Sequence, residues 1–152
     1  MIRLADFVIK YLQKRNTKVV FTVSGGGSIW LCDALAKNKL NYVCCHHEQA
    51  VGYAVEGYSR SNKSVGVGIV TTGPGGTNTI SAVSACWIDS IPAVFISGQV
   101  FLNQTIGNTK IRQKGVQEIN IVDLVKPNTK FATILENPYE IKKILDNAFY
   151  LA

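Results

Sequence analysis

Short apolar runs alternate with helix-like segments along the sequence, and this alternation constrains the fold more than any other feature. The runs at 19–23, 41–45, 65–71 and 92–97 are too short for helices and are typical of buried strands. Buried strands that are joined by helices form parallel sheets that are covered on both faces. We therefore predict an α/β fold, a three-layer α/β/α sandwich around a parallel sheet.

The helical segments complete this pattern. Apolar residues recur at helical spacing near the N-terminus, and Asn137 followed by Pro138 is typical of a helix start. Residues 98–118 are a longer polar segment. No internal repeat or linker is found, so residues 1–152 are predicted to form a single domain. The predicted helices are 3–15, 28–37, 48–60, 77–88, 119–125 and 138–151, with one further strand near 130–134.

Composition excludes several classes of protein. A chain of 152 residues with 47% hydrophobic and 17% charged residues is expected to be globular. The net charge of +6 comes from scattered Lys and Arg without interleaved aromatic residues, so no nucleic-acid partner is expected. Arg3, Asp6 and Lys10 interrupt any signal-peptide core, and no apolar run approaches the ~18 residues of a membrane span. We expect a cytoplasmic protein with no membrane partner.

The run Cys44-Cys45-His46-His47 is the only segment that resembles a metal site. Alternate side chains of an extended segment point in opposite directions, so this run cannot close a tetrahedral site by itself. We therefore predict that the chain has no metal ligands and that its cysteines are reduced.

The strand-to-helix loops carry the unusual residues, as expected for a ligand site at the carboxyl ends of parallel strands. The glycine-rich loops 24–27 and 71–78 match neither the dinucleotide fingerprint nor the P-loop. They could serve only as tight turns, or they could let the backbone approach a flat ligand closely.

Glu48 lies in the first turn of a predicted helix, where the helix dipole alone could explain an acidic residue. The same helix has one face of small residues and one apolar face, so the carboxylate is expected to be partly buried and able to share a proton. His46 and His47 could carry protons, or could be satisfied by backbone carbonyl groups.

Four blocks taken together resemble the N-terminal, pyrimidine-binding domain of thiamine-diphosphate-dependent enzymes of the acetolactate synthase type. They are VFTVSGGG, YVCCHHEQAVGYAVEGYSR, the stretch from GVGIVTTGPGGTN to FISGQV, and GVQEINIVDLVKPNTKFATI. The resemblance covers essentially the whole chain. It implies the thiamine-diphosphate-binding fold, which is flavodoxin-like.

The resemblance also implies roles for individual residues. Glu48 matches the glutamate that hydrogen-bonds N1′ of the cofactor's aminopyrimidine and promotes its 4′-imino tautomer. Gln117 matches a glutamine near the substrate, and His47 lies next to the catalytic position without an assigned role. Cofactor-binding residues by the same resemblance are Gly25 and Gly26, which face the reacting centre, and Thr72, Gly73, Pro74, Gly75 and Asn78, which lie beside the aminopyrimidine.

The resemblance implies a larger enzyme that acts on 2-keto acids by decarboxylation or carboligation, a transferase or lyase. The chain is then the first of three domains, with Mg²⁺ held by a later domain and FAD possible in the full-length protein. The family's site forms against the diphosphate-binding domain of another subunit, so a homodimer or tetramer is expected. Isolated residues 1–152 are predicted to bind cofactor weakly, without turnover.

Two alternatives stay open at this point. The chain could be the separate small subunit of a two-chain thiamine-diphosphate decarboxylase. It could also be a non-catalytic α/β binding module in which Glu48 is only a charge at a helix start.

Overall fold

The computed structural model describes residues 2–152 and has the predicted alternation of strands and helices. Four short 3₁₀ turns join the larger elements, at Gly26–Ser28, Leu102–Gln104, Lys126–Asn128 and Pro138–Glu140. The strands are β1 (Val20–Thr22), β2 (Tyr42–Cys44), β3 (Gly66–Val70) and β4 (Ala93–Ser97), and the helices are α1 (Leu4–Lys14), α2 (Ile29–Asn38), α3 (Glu48–Asn62), α4 (Pro74–Thr77), α5 (Ile80–Ile88), α6 (Ile121–Val125) and α7 (Ile141–Leu151).

The four strands form one parallel sheet in the order β2-β1-β3-β4. Phe21 at the centre of β1 pairs with Val43 on one side and with Gly68 on the other. After β1 the chain adds β2 on one side and then crosses to β3 on the other. The carboxyl ends of β1 and β3 therefore flank the switch point, where open α/β sheets bind ligands. The predicted parallel α/β sandwich is confirmed, and its strand order is flavodoxin-like.

Helices cover both faces of the sheet, which gives the three layers. On one face α1, α2 and α7 bury Ile9, Leu12 and Leu35 against Val20 and Ile69 of the sheet. On the other face Val51 and Val55 of α3 pack against Val70, with Phe21 partly buried beside them. Successive residues Val20 and Phe21 thus point to opposite faces, as strand geometry requires. Burying each such side chain stabilises the fold by about 1.5–3 kcal/mol.

Helix α3 lies very close to the sheet because β3 contains glycine where it passes underneath. A side chain at Gly66 would place its Cβ 2.5 Å from the carbonyl oxygen of Val55, and one at Gly68 would crowd Val51 and Phe95. This close packing fixes the height of α3 above β3, and with it the position of Glu48 at the start of α3.

The predicted strand near 130–134 is wrong. Residues 131–136 are outside the sheet, and β4 is its edge strand in the described part of the chain. Strand propensity expresses packing and pairing with neighbours more than backbone preference. Without a neighbouring strand to accept its backbone hydrogen bonds, this β-branched segment stays irregular.

Helix boundaries differ from prediction mainly at the N-termini. The predicted helix 77–88 is divided into α4 and α5, because the turn at Gly73 and Pro74 starts a helix earlier than expected. The Asn137 cap is confirmed, since its side chain accepts a hydrogen bond from the Tyr139 N–H at 3.0 Å. Among residues 2–152, no helix combines the length and apolar character needed to cross a membrane.

Candidate functional site

Three loops meet at the carboxyl edge of the sheet, beside the switch point. The N–H of Gly27, after β1, donates to the hydroxyl of Thr71, after β3, at 3.0 Å. A Cβ at Gly25 would lie only 2.5 Å from the Cβ of Thr71, and one at Gly98, after β4, would overlap the carbonyl of Gly27. The glycines therefore allow the loops to touch. Sequence reasoning identified loops 24–27 and 71–78, but among the individual site residues it named Gly25 and not Gly27 or Thr71.

Glu48 is the first residue of α3 and is half-buried. Its Oε2 accepts a hydrogen bond from the side-chain amide of Asn78 at 2.9 Å. Its Oε1 accepts none from the described residues and lies 3.7 Å from the point where a side chain at Gly75 would begin. The carboxylate thus has one anchored oxygen and one that faces a buried glycine. The predicted partial burial of Glu48 is confirmed.

His47 is the N-cap of α3. Its ring Nδ1 accepts a hydrogen bond from the N–H of Gln49 at 3.1 Å, which satisfies one of the free donors of the helix start. His47 therefore helps to start the helix that presents Glu48.

The backbone of the loop 71–78 has, at Gly73, a conformation that only glycine adopts readily. Gly73 has φ of 63° and ψ of −120°, and Pro74 then starts α4. Thr72 is buried, and its hydroxyl has no hydrogen-bond partner within residues 2–152. A Cβ at Gly27 would collide with that hydroxyl. This loop therefore has a backbone conformation that requires glycine at residue 73, and one unsatisfied polar group.

The polar segment 98–118 folds back onto this loop. A side chain at Gly73 would overlap the backbone carbonyl of Gln117, and Gln117 itself has a positive φ of 59°. The carboxylate of Glu118 accepts backbone hydrogen bonds from Ile106 at 2.5 Å and from Lys114 and Gly115 at 3.1 Å. Glu118 thereby closes a loop that holds Gln117 beside Gly73.

Desolvation raises the pKa of the Glu118 carboxyl, but the N–H groups of Ile106, Gly115 and Lys114 outweigh it, so this pKa is lower than its ordinary value. Sequence reasoning gave Glu118 no role. The sequence signal for such a role was weak: Glu118 is an acidic residue that follows the predicted site residue Gln117, in a segment without helix or strand periodicity.

The structure thus groups most of the predicted site residues. Glu48, Gly75 and Asn78 are together, and Gly73 contacts Gln117. Gly26, Pro74 and His47 lie on the same edge of the sheet, but within the described residues the Glu48 side chain accepts its hydrogen bond from Asn78 and not from them. An open cleft of about 730 Å³ lies elsewhere, between α7 and residues 131–134. Glu48 does not line this cleft.

Fold and site together define an α/β ligand-binding domain, with one carboxylate and a glycine-rich backbone at the switch point of a parallel sheet. A sequence model of the family described as "Thiamine pyrophosphate enzyme, N-terminal TPP binding domain" matches residues 2–124. The chain belongs to this family, whose cofactor is also called thiamine diphosphate. The match contains all the predicted site residues, and the resemblance found from the sequence blocks is confirmed.

Curated relatives agree with this assignment. The acetolactate synthase large subunit of Corynebacterium glutamicum is 34% identical over 149 residues, which are 97% of this chain and 23% of that protein. The isozyme 3 large subunit of Escherichia coli is 33% identical over 153 residues, 100% of this chain and 26% of the relative. The chloroplastic acetolactate synthase of Arabidopsis thaliana is 34% identical over 149 residues, which are 97% of this chain and 21% of that protein. The chain spans about a quarter of the length of these relatives.

Proposed function

We propose that residues 1–152 are the pyrimidine-binding domain of a three-domain, acetolactate synthase-like enzyme that acts on 2-keto acids by decarboxylation or carboligation. The observation that carries the proposal is the Glu48 carboxylate, whose Oε2 is held by Asn78 while Oε1 faces Gly75. The similarity to acetolactate synthases over 97% of the chain supports the reaction class, a transferase or lyase.

The residues present fit the aminopyrimidine of thiamine diphosphate. A flat ring needs a carboxylate at its edge, which Glu48 supplies, and a compact loop beside it. At Gly73 and Gly75 the loop packs so tightly against Gln117 and Thr71 that there is no room for a side chain. The unsatisfied Thr72 hydroxyl is a further polar group beside the same loop. When bound, thiamine diphosphate supplies a carbanion at C2 of its thiazolium, which is the chemistry that 2-keto acids require.

The role of this chain is to bind, orient and hold a proton. Glu48 holds a proton between its Oε1 and the ring nitrogen N1′. Thr72, Gly73, Pro74 and Gly75 form the wall against the ring. In this proposal Gly25 and Gly26 face the reacting centre and Gln117 lies towards the substrate. His47 caps the helix that carries Glu48.

The rest of the site is proposed to come from other parts of the enzyme. Glu48 Oε1, which accepts no hydrogen bond from the described residues, supports a site that a second domain completes, and we propose the diphosphate-binding domain of another subunit, with Mg²⁺ held there. FAD use in a central domain, a cytoplasmic location and lack of turnover by residues 1–152 alone stay predictions.

We propose that subunits of the enzyme associate through helix α3. Ala50, Tyr53 and Gly57 recur every three or four residues and are exposed along one side of this helix. Small and aromatic side chains on an exposed helix face are typical of an interface rather than of a solvated surface. A homodimer or tetramer through the pyrimidine-binding domain is therefore proposed.

The experiment replaces Glu48 by glutamine in the full-length protein and follows hydrogen–deuterium exchange at C2 of bound thiamine diphosphate. We expect Glu48→Gln to slow exchange by about 10²–10⁴-fold, because glutamine cannot hold the proton. Glu56→Gln is the matched control, since Glu56 lies on the same helix but pairs with Arg60. Unchanged exchange in Glu48→Gln would remove Glu48 from the mechanism and favour a non-catalytic binding module.

A further inference from the structure

The two oxygens of the Glu48 carboxylate have different surroundings, and Asn78 is the cause. Its side-chain Nδ2 donates to Oε2 at 2.9 Å, and the described residues donate no hydrogen bond to Oε1. Sequence reasoning placed Asn78 beside the cofactor. In the structure its amide donates to Glu48.

Asn78 is itself held firmly. Its backbone N–H donates to the Pro74 carbonyl at 2.9 Å, and its φ of −64° and ψ of −16° are helical. This backbone hydrogen bond to Pro74 fixes the starting point of the Asn78 side chain. Glu48, with three rotatable side-chain bonds, is the more flexible partner, so the hydrogen bond fixes Glu48 more than Asn78.

The remaining oxygen lies beside a buried glycine. Oε1 is 3.7 Å from the position of a Cβ at Gly75, where the Thr71 methyl group is closer still at 2.5 Å. Because Asn78 occupies Oε2 and no described residue donates to Oε1, Oε1 is the oxygen left for a ligand's ring nitrogen.

We propose that Asn78 is a positioning residue that acts through Glu48: it holds Oε2, fixes the plane of the carboxylate, and leaves Oε1 as the oxygen that meets N1′ of the aminopyrimidine. This inference rests on the proposed function. Only a donor at position 78 can do this. Alanine removes the hydrogen bond, and aspartate places a second carboxylate against Oε2, where like charges repel.

The test compares two ligands in the full-length protein at fixed Mg²⁺ concentration. One is thiamine diphosphate, and the other is its analogue with C–H in place of N1′, which cannot bond to Oε1. Dissociation constants for both are measured by calorimetry. The readout is the ratio of the two constants, which is independent of turnover and of any general damage to the site.

We expect Asn78→Asp to weaken the binding of thiamine diphosphate by at least about tenfold, and the binding of the analogue by less than about twofold. Asn78→Ala is expected to show the same selectivity, but more weakly. Asn128→Asp is the matched control, because Asn128 makes a similar side-chain bond to the Ser84 hydroxyl at 3.0 Å. It is expected to leave the ratio unchanged.

The two proposals fail in different ways. Glu48→Ala removes the carboxylate and leaves no side-chain donor for N1′, so it is expected to bring the ratio close to one; if it leaves the ratio at its wild-type value, the proposed function is wrong. If Glu48→Ala changes the ratio but both Asn78 variants weaken the two ligands equally, or weaken neither, the positioning role of Asn78 is wrong while the proposed function stands.

Discussion

The side chains of Glu48 and Asn78 are joined by a 2.9 Å hydrogen bond although 30 positions separate them in the sequence. Glu48 starts the helix that follows β2, and Asn78 lies between the two helices that follow β3. Strands β2 and β3 lie on opposite sides of β1, so the bond spans the switch point of the sheet. The sheet topology thus brings together a carboxylate and its amide donor at the edge where ligands bind.

Gly25 and Gly26 are predicted to respond differently to alanine. A Cβ at Gly25 would lie 2.5 Å from the Cβ of Thr71, whereas a Cβ at Gly26 would meet nothing within 4 Å. Gly25→Ala is expected to lower the free energy of unfolding by about 1–3 kcal/mol, as overpacking does. Gly26→Ala is expected to stay within about 0.5 kcal/mol of wild type but to weaken cofactor binding. Urea denaturation measures the first effect, and equal losses of stability would contradict this account.

Gly73→Ala is predicted to displace the loop that carries Gln117. Alanine is strained at a φ of 63° and ψ of −120°, at a cost of about 1–3 kcal/mol, and its Cβ would also overlap the Gln117 carbonyl. Amide hydrogen exchange of residues 115–118 should become faster. Exchange as slow as in the wild-type protein would show that the two loops do not depend on each other.

The loop closed by Glu118 is predicted to loosen in acid. Because the pKa of Glu118 is lowered in the folded protein, its contribution to stability is complete above the ordinary value of 4.5 and is lost as pH falls through the lowered pKa. The amides of Ile106, Lys114 and Gly115 should therefore be more protected at neutral pH, after correction for intrinsic exchange. In Glu118→Gln this pH dependence should disappear; its persistence would point to another group.

Cys86 is predicted to be the least reactive of the cysteines. Burial raises its pKa to about 11, so it stays protonated at neutral pH, while Cys44 is exposed. Alkylation at pH 8 followed by mass spectrometry should label Cys44 first and Cys86 last, with Cys86 labelling rising only as pH approaches about 11. Labelling of Cys86 as fast as of Cys44 would mean that α5 opens readily.

The proposed interface on α3 can be tested without disturbing the fold. A side chain at Gly57 would meet nothing within 4 Å, so Gly57→Arg is compatible with the folded chain but would place a bulky charge in the interface. We expect light scattering of the full-length protein to show a smaller assembly. Tyr139→Arg is the control, since Tyr139 is 93% exposed and precedes α7 on the other face. An unchanged mass in Gly57→Arg would place the interface elsewhere.

Much of the fold could be predicted because it depends on local patterns. Uninterrupted apolar runs marked β1, β3 and β4, and the start of α3 at Glu48 was predicted to the residue. The strand at 130–134 was wrong because pairing depends on a neighbour that local sequence does not reveal.

The site was predictable as a set of residues but not as a set of contacts. The direction of the Asn78 amide depends on how α3 and α5 lie relative to each other, which is set by close packing of Gly52 against Ala82. Likewise, the role of Glu118 depends on three backbone N–H groups in an irregular loop. Such contacts follow from tertiary structure, and no periodic pattern in the sequence indicates them.

The most direct test of the central claim is an experimental structure of the full-length protein with thiamine diphosphate and Mg²⁺. We predict that Oε1 of Glu48 lies about 2.6–3.2 Å from N1′ of the aminopyrimidine, with Oε2 still bonded to Asn78. A structure in which N1′ meets another group, and Glu48 contacts only solvent, would contradict the account.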